Sequence, residues 1–152
     1  MLFSCLGTTS SKTPDQRVYR KIDLEIPVTI AKYAKEVGLQ SCHIVSTLGA
    51  NAQSSGFYIR LKGEVEEEMK NLHLVQLHIY RPSLIKGNRK EQRLFEKAFI
   101  KMSPFLDLLL TGPLKKYKSI EAHTIASAML NQSLKPAVGT FVYPSDKIKE
   151  LA

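Results

Sequence analysis

The sequence predicts an α/β domain built on a parallel sheet. Short apolar runs alternate along the chain with longer segments whose apolar residues recur every three or four positions. The intervening segments are about 12–16 residues long, enough for a crossover helix and too long for a hairpin turn. At 152 residues the chain is read as one domain, residues 1–152, that buries a core without staples.

The elements follow in order. Leu2 to Leu6 reads as a short buried strand ended by Gly7-Thr8-Thr9, and a polar loop continues through Gln16. Ile22 to Val37 reads as a helix, because Ile22, Ile26, Ile30, Ala34 and Val37 recur at three- and four-residue steps. Pro27 does not suit a helix interior, which moves the predicted start towards Glu25 with the proline in the first turn. Gly38 closes this helix. Cys42 to Ser46 is the second strand, and Gly49 to Gly56 is a loop of small residues. Phe57 to Leu72 is a helix, with Phe57, Leu61, Val65 and Met69 four apart on one face. Val75 to Tyr80 is the third strand, ended by Pro82. Arg89 to Met102 and Pro104 to Leu110 read as apolar helices. Ser119 is the predicted cap of a helix over Ile120 to Asn131. Thr140 to Tyr143 is a fourth strand, and Ser145 to Leu151 a last helical turn. The chain opens inside an apolar strand, and an uncovered strand of this kind favours self-association.

Composition narrows the function classes. The longest apolar stretch, around Phe105 to Leu110, is broken by Asp107 and preceded by Pro104, so no membrane span is predicted. Met1 to Leu6 is too short for a secretory signal and lacks a basic flank. The two cysteines, Cys5 and Cys42, read as free thiols in buried strands, not as a disulfide framework, which makes the cytoplasm the expected compartment. The net charge is +8, but Lys32, Lys35, Lys86, Arg89, Lys90, Arg93, Lys115, Lys116 and Lys118 are spread along the chain, and aromatics are not interleaved with them as a stacking surface would require. A solvated basic face is predicted, and nucleic acid is not an expected partner. His43, His73, His78 and His123 have no metal-ligand spacing, and no metal is predicted. Glu64, Glu66, Glu67 and Glu68 read as a solvated helix face. Phe95, Phe99, Ile100, Met102, Phe105, Leu106 and Leu109 read as core or pocket lid.

The chemistry is centred on Tyr58 and Lys62. Four residues apart, they share one helix face beside the apolar stripe. An ammonium held near a phenol favours the phenolate, and a tyrosine tuned in this way donates or accepts protons near neutral pH. Ser46 and Thr47 follow the second strand, where open α/β sheets bind ligands. Adjacent strand residues point to opposite faces. Only one of the two is therefore expected to reach the site, with Ser46 favoured and Thr47 the alternative.

A resemblance joins these residues. Val45-Ser-Thr-Leu-Gly-Ala-Asn and Ser54-Ser-Gly-Phe-Tyr-Ile-Arg-Leu-Lys-Gly-Glu-Val-Glu-Glu resemble atypical short-chain dehydrogenase/reductases of the Tat-interacting-protein type. Cys5-Leu-Gly-Thr-Thr is similar to that family's fourth strand and its turn. His78-Ile-Tyr-Arg-Pro-Ser-Leu-Ile-Lys-Gly is similar to its sixth strand and Arg-Pro exit. Ile120-Glu-Ala-His-Thr-Ile-Ala-Ser-Ala-Met is similar to its late helix, with Thr124 where relatives often carry an acid.

The resemblance implies a Rossmann-like parallel sheet with flanking helices, represented by the second half of the fold, and an NAD(P)-dependent oxidoreductase. Tyr58 would donate a proton to a small-molecule carbonyl substrate. Lys62 would hydrogen-bond the nicotinamide ribose, and Ser46 would orient the carbonyl. Leu6, Gly7 and Thr8 would line the cofactor's ribose side, Pro82 and Ser83 would pack near the nicotinamide, and residues 89–118 would cover the substrate pocket. The basic charge tilts the expectation towards NADPH.

One part of the family pattern is missing. The G-x-x-G-x-x-G turn, whose amides and helix N-terminus hold pyrophosphate, does not occur in this sequence. The N-terminal βαβ units that would carry it amount to roughly 60 residues at about 30 each. Poor cofactor affinity is expected of a chain without them. The alternative reading is a non-catalytic interaction or regulatory module on the same scaffold.

Overall fold

In the computed structural model, residues 1–86 and 112–152 are described. They form a four-stranded, all-parallel sheet flanked by helices, a Rossmann-like arrangement. Strands β1 (Leu2–Ser4), β2 (Ser41–Val45) and β3 (Gln76–Arg81) lie side by side, and β6 (Gly139–Pro144) adds to β3. Two short strands, β4 (Ile85–Lys86) and β5 (Ile120–Glu121), pair separately. The sequence reading missed them, since two residues carry no periodicity. The segments expected as helices over Arg89 to Leu110, and most of the expected pocket cover over 89–118, lie outside the described residues. No helix among the described residues is long and apolar enough to cross a membrane.

The first crossover is longer than the sequence suggested. It begins at α1 (Gln16–Arg20), where the Asp15 side chain accepts the Arg17 amide hydrogen at 2.8 Å. It widens into a π-helical turn over Lys21–Glu25 and continues as α2 (Ile26–Glu36). Pro27 accounts for the widening. It has no N–H to give the Asp23 carbonyl four residues back, and its ring would collide with that carbonyl in a regular helix. The Ile26 amide instead reaches Lys21 O, five residues back. Gly38 ends the helix at φ 79°, with the Leu39 amide returning to Ala34 O at 2.9 Å, as expected of a glycine C-cap.

The wide turn rotates the face of α2 that meets the sheet. Leu24, Val28 and Ala31 are buried, whereas Ile26, Ile30 and Val37 are exposed. The stripe expected through Ile22, Ile26, Ile30, Ala34 and Val37 is therefore corrected. By contrast, α3 (Phe57–Asn71) buries Leu61, Val65 and Met69 as its spacing predicts, with Phe57 partly buried against them. These side chains pack on Cys42, Ile44, Leu77 and Ile79, and each large apolar side chain fully buried contributes about 1.5–3 kcal/mol.

On the opposite face, register aligns Phe3, His43, His78 and Phe141 in a row across all four strands. The two imidazoles stack at 4.4 Å with an interplanar angle of 3°. His43 also contacts Ser41 Oγ at 3.0 Å and Tyr80 Oη at 3.2 Å, while His78 contacts Tyr143 Oη at 3.0 Å. Burial pushes His43 down to about 4, with His78 adding to the shift. Helices α4 (Ala122–Ser133) and α5 (Ser145–Leu151) cover part of this face through Ile125, Ala128, Met129 and Ile148.

Two local expectations are corrected. Ser119 does not cap α4. It precedes β5, and the helix starts at Ala122 with Glu121 in the cap position and no side-chain cap bond, because Ile120 is drawn into the backbone bond to Leu84 O. Cys42 is buried, as expected, and burial raises its thiol to about 11, but Cys5 lies beyond the end of β1 and is exposed.

Candidate functional site

A cleft of about 490 Å³ opens where β1, β2 and β3 end. Parallel sheets bind ligands at the carboxyl ends of their strands. Leu6, Gly7, Thr8, Ser46, Tyr58, Lys62, Pro82 and Ser83 line this cleft, and so does Thr47, so the expectation that only one of Ser46 and Thr47 reaches it is corrected: both follow the end of β2, where strand alternation no longer applies.

Tyr58 lies in the first turn of α3 and is 43% exposed. Lys62, one turn on, is buried, and its ammonium lies 2.9 Å from Asp23 Oδ1. Asp23 sits in the π-helical turn and is itself 1% exposed. Its second oxygen accepts the Thr8 amide hydrogen at 2.7 Å, and Tyr19 Oη donates to Thr8 O at 3.0 Å. One carboxylate therefore joins the wide turn of the first helix, the Gly7–Thr8 turn and the lysine. A Cβ on Gly7 would lie 3.3 Å from Asp23 Oδ1, so the turn sits tightly against this pair. A lysine ammonium has three hydrogens to donate, and binding Asp23 leaves others for a ligand.

Ser46 follows β2 directly and is buried. Its hydroxyl donates to Glu66 Oε1 at 2.5 Å. Glu66, 1% exposed, also receives Arg81 Nε at 2.9 Å and the Arg81 Nη2 group at 2.5 Å. The hydrogen bonds to this carboxylate raise the Arg81 guanidinium above its ordinary value. The expected solvated face of Glu64, Glu66, Glu67 and Glu68 is corrected at Glu66. Glu67 and Glu68 are exposed, and Glu64 pairs with Arg20 and Arg60.

Two further contacts shape the walls. Ser145 Oγ accepts the Ser83 amide hydrogen at 2.7 Å and donates to Ser83 Oγ at 2.9 Å, while Ser83 Oγ donates to Lys118 O. This fixes the Pro82–Ser83 corner. Gly63 allows the loop after Thr47 to lie against α3. A Cβ there would fall 2.1 Å from Ala52 N.

Sequence reasoning missed Asp23, Glu66 and Ser145. The spacing offered a signal for Glu66, since residues 58, 62 and 66 recur every four positions on one helix face.

No known family profile matches the chain. It is 34% identical over 148 residues to a protein of Aspergillus terreus named "Protein fmp52-1, mitochondrial", covering 97% of this chain and 63% of that protein. The chain is similar to the Fmp52 proteins. An Fmp52 protein of Aspergillus clavatus is 32% identical over the same length, and one of Candida albicans is 41% identical over 88 residues, which is 58% of this chain and 38% of that protein. The chain thus spans 63% of the length of its Aspergillus relatives.

Among solved structures, the Bordetella bronchiseptica enzyme WbmG in complex with NAD and UDP superposes with a TM-score of 0.61 at 12% identity, covering 97% of this chain and 52% of that one. A UDP-galactose 4-epimerase superposes with a TM-score of 0.51 at 10% identity, over 99% of this chain and 70% of that one. At these identities the likeness is one of fold, and it agrees with the Rossmann-like sheet.

None of these three relatives carries the Tat-interacting-protein name. Their names place them in mitochondria, which overturns the cytoplasmic expectation. That expectation rested on unpaired cysteines, which argue against disulfides and do not separate one reducing compartment from another.

Proposed function

We propose that this chain supplies the reacting-group side of an NAD(P)-dependent oxidoreductase, with Tyr58 exchanging a proton with a carbonyl or alcohol substrate. The observation that carries the reading is the cleft at the strand ends, where Tyr58 and Lys62 on one helix face meet Ser46. The chain fits the nicotinamide-ribose end of a dinucleotide. Lys62 has spare donors, and the Gly7–Thr8 turn is a backbone cradle without a side chain at its narrowest point. The pyrophosphate end has no counterpart in this sequence, since the glycine-rich turn is missing.

The bound dinucleotide would give or take a hydride. Lys62, held by Asp23, would hydrogen-bond the ribose on the side of the cleft that Tyr58 also lines. The Tyr58 hydroxyl then delivers or removes the proton on the substrate oxygen, and Ser46 orients the substrate beside it. Leu6, Gly7 and Thr8 would line the ribose side, and Pro82 and Ser83 would form the wall near the nicotinamide. NADPH is the favoured form given the net charge of +8. The names of the relatives support a mitochondrial setting.

The first test is calorimetric titration of NADPH and NADH into the chain, with Lys62→Ala as control. Micromolar binding lost in the mutant supports the reading for this chain. Absence of binding removes it from this chain and leaves it to a longer protein. In an NADPH-dependent carbonyl reductase assay, Tyr58→Phe is expected to lower kcat by about 10²–10⁴-fold. The absent glycine-rich turn favours one competing reading, a non-catalytic module. Biological activity unchanged by Tyr58→Phe would select it.

A further inference from the structure

The deepest group on the reactive face of α3 has no part in the chemistry proposed above. Tyr58, Lys62 and Glu66 follow one another by one helical turn each, and exposure falls from 43% at Tyr58 to 6% at Lys62 and 1% at Glu66. A carboxylate at that depth needs compensation, and the Arg81 guanidinium supplies it through two hydrogen bonds. Ser46 provides the third, at 2.5 Å to Oε1. A carboxylate in an ion pair has no proton to give, so the only hydroxyl proton of Ser46 points at Glu66 and away from the cleft that Ser46 lines.

We propose that Ser46 serves the cleft solely as a hydrogen-bond acceptor, with its proton held by the Glu66–Arg81 pair. The ligand then presents a hydroxyl or amide N–H to Ser46, beside the oxygen that Tyr58 protonates. Turning the hydroxyl towards a bare carbonyl would exchange a charge-assisted bond for a neutral one and leave the buried Glu66 Oε1 with Arg81 Nε as its remaining donor. Such a turn is disfavoured. The substrate class is therefore a carbonyl compound with a neighbouring hydroxyl, or the corresponding polyol, in preference to a plain aldehyde or ketone. Glu66 and Arg81 act through Ser46 and are positioning residues. The substrate class rests on the oxidoreductase reading, whereas the direction of the Ser46 bond does not.

Two measurements separate these points. In proton NMR of the ligand-free chain, the Ser46 hydroxyl is expected as a downfield, slowly exchanging resonance in contact with the Ser46 β-protons. It is absent in Ser46→Ala and moves upfield in Glu66→Gln, where the acceptor is neutral. A rapidly exchanging Ser46 hydroxyl in the wild type overturns the acceptor assignment without recourse to any variant. In NADPH-dependent turnover, hydroxyacetone is expected to exceed acetone in kcat/KM by roughly tenfold, and that ratio falls towards one in Ser46→Ala. A wild-type ratio of one, or a preference for acetone, overturns the substrate class. Turnover of neither ketone overturns the oxidoreductase reading and the substrate class with it, while the resonance still decides the role of Ser46.

Discussion

Asp23 and Lys62 meet at 2.9 Å across two helices, with side chains 1% and 8% exposed. Such a pair gives little net stability over an apolar pair of the same shape, but removing one partner strands a buried charge. Asp23→Ala is expected to cost about 3–5 kcal/mol in urea denaturation, and the Asp23→Leu/Lys62→Met double variant less than Asp23→Ala alone. A cost below about 1 kcal/mol for Asp23→Ala would show a pair solvated in the manner of a surface contact.

Acid should weaken the fold through His43. Its folded value of about 4 lies below the ordinary 6.5, so between those limits the unfolded chain binds a proton that the folded chain refuses. Stability then rises with pH. The contribution is fully present above pH 6.5 and is lost as pH falls to about 4, on the order of 3 kcal/mol. His43→Phe, which keeps a ring between Phe3 and His78, is expected to flatten this part of the curve of denaturation midpoint against pH. An unchanged slope would remove His43 as its origin.

Gly63→Ala tests the contact between α3 and the loop after Thr47. Alanine is normally the better helix former by about 1 kcal/mol. Here the added methyl meets backbone at 2.1 Å, and a net loss of at least about 1–3 kcal/mol is expected. A stabilised variant would show that the loop yields easily.

Ser145→Ala, at a fully buried position, leaves the partly buried Ser83 amide without its acceptor. The expected loss is about 1–3 kcal/mol. Amide exchange should also speed up at Ser83, where a loss spread evenly over the chain would count against a local role.

The sequence was legible wherever a single period governed an element. Leu61, Val65 and Met69 recur every four residues, and α3 buries all three. The same logic failed on the first crossover, where the extra residue in the π-helical turn breaks the phase between Ile22 and the residues after Pro27. In the cleft lining, helix spacing and strand-end position reached Tyr58, Lys62, Ser46 and Thr47, and the family resemblance added Leu6, Gly7, Thr8, Pro82 and Ser83. Asp23 and Glu66 were hidden for another reason. Their burial depends on partners 39 residues away at Lys62 and 15 residues away at Arg81, and neither partner leaves a local mark. The exposed Glu67 and Glu68 beside it masked it further.

The surplus residue between Arg20 and Pro27 also acts as a phase shifter. Each residue advances a helix by about 100°, so tightening Lys21–Glu25 into an ordinary α-turn would swing Asp23 and Tyr19 by roughly that angle relative to α2. The lysine would lose its counter-charge, and the Gly7–Thr8 turn would lose both of its anchors at once. A proline that never touches the cleft thereby sets the compass bearing of the residues beneath it.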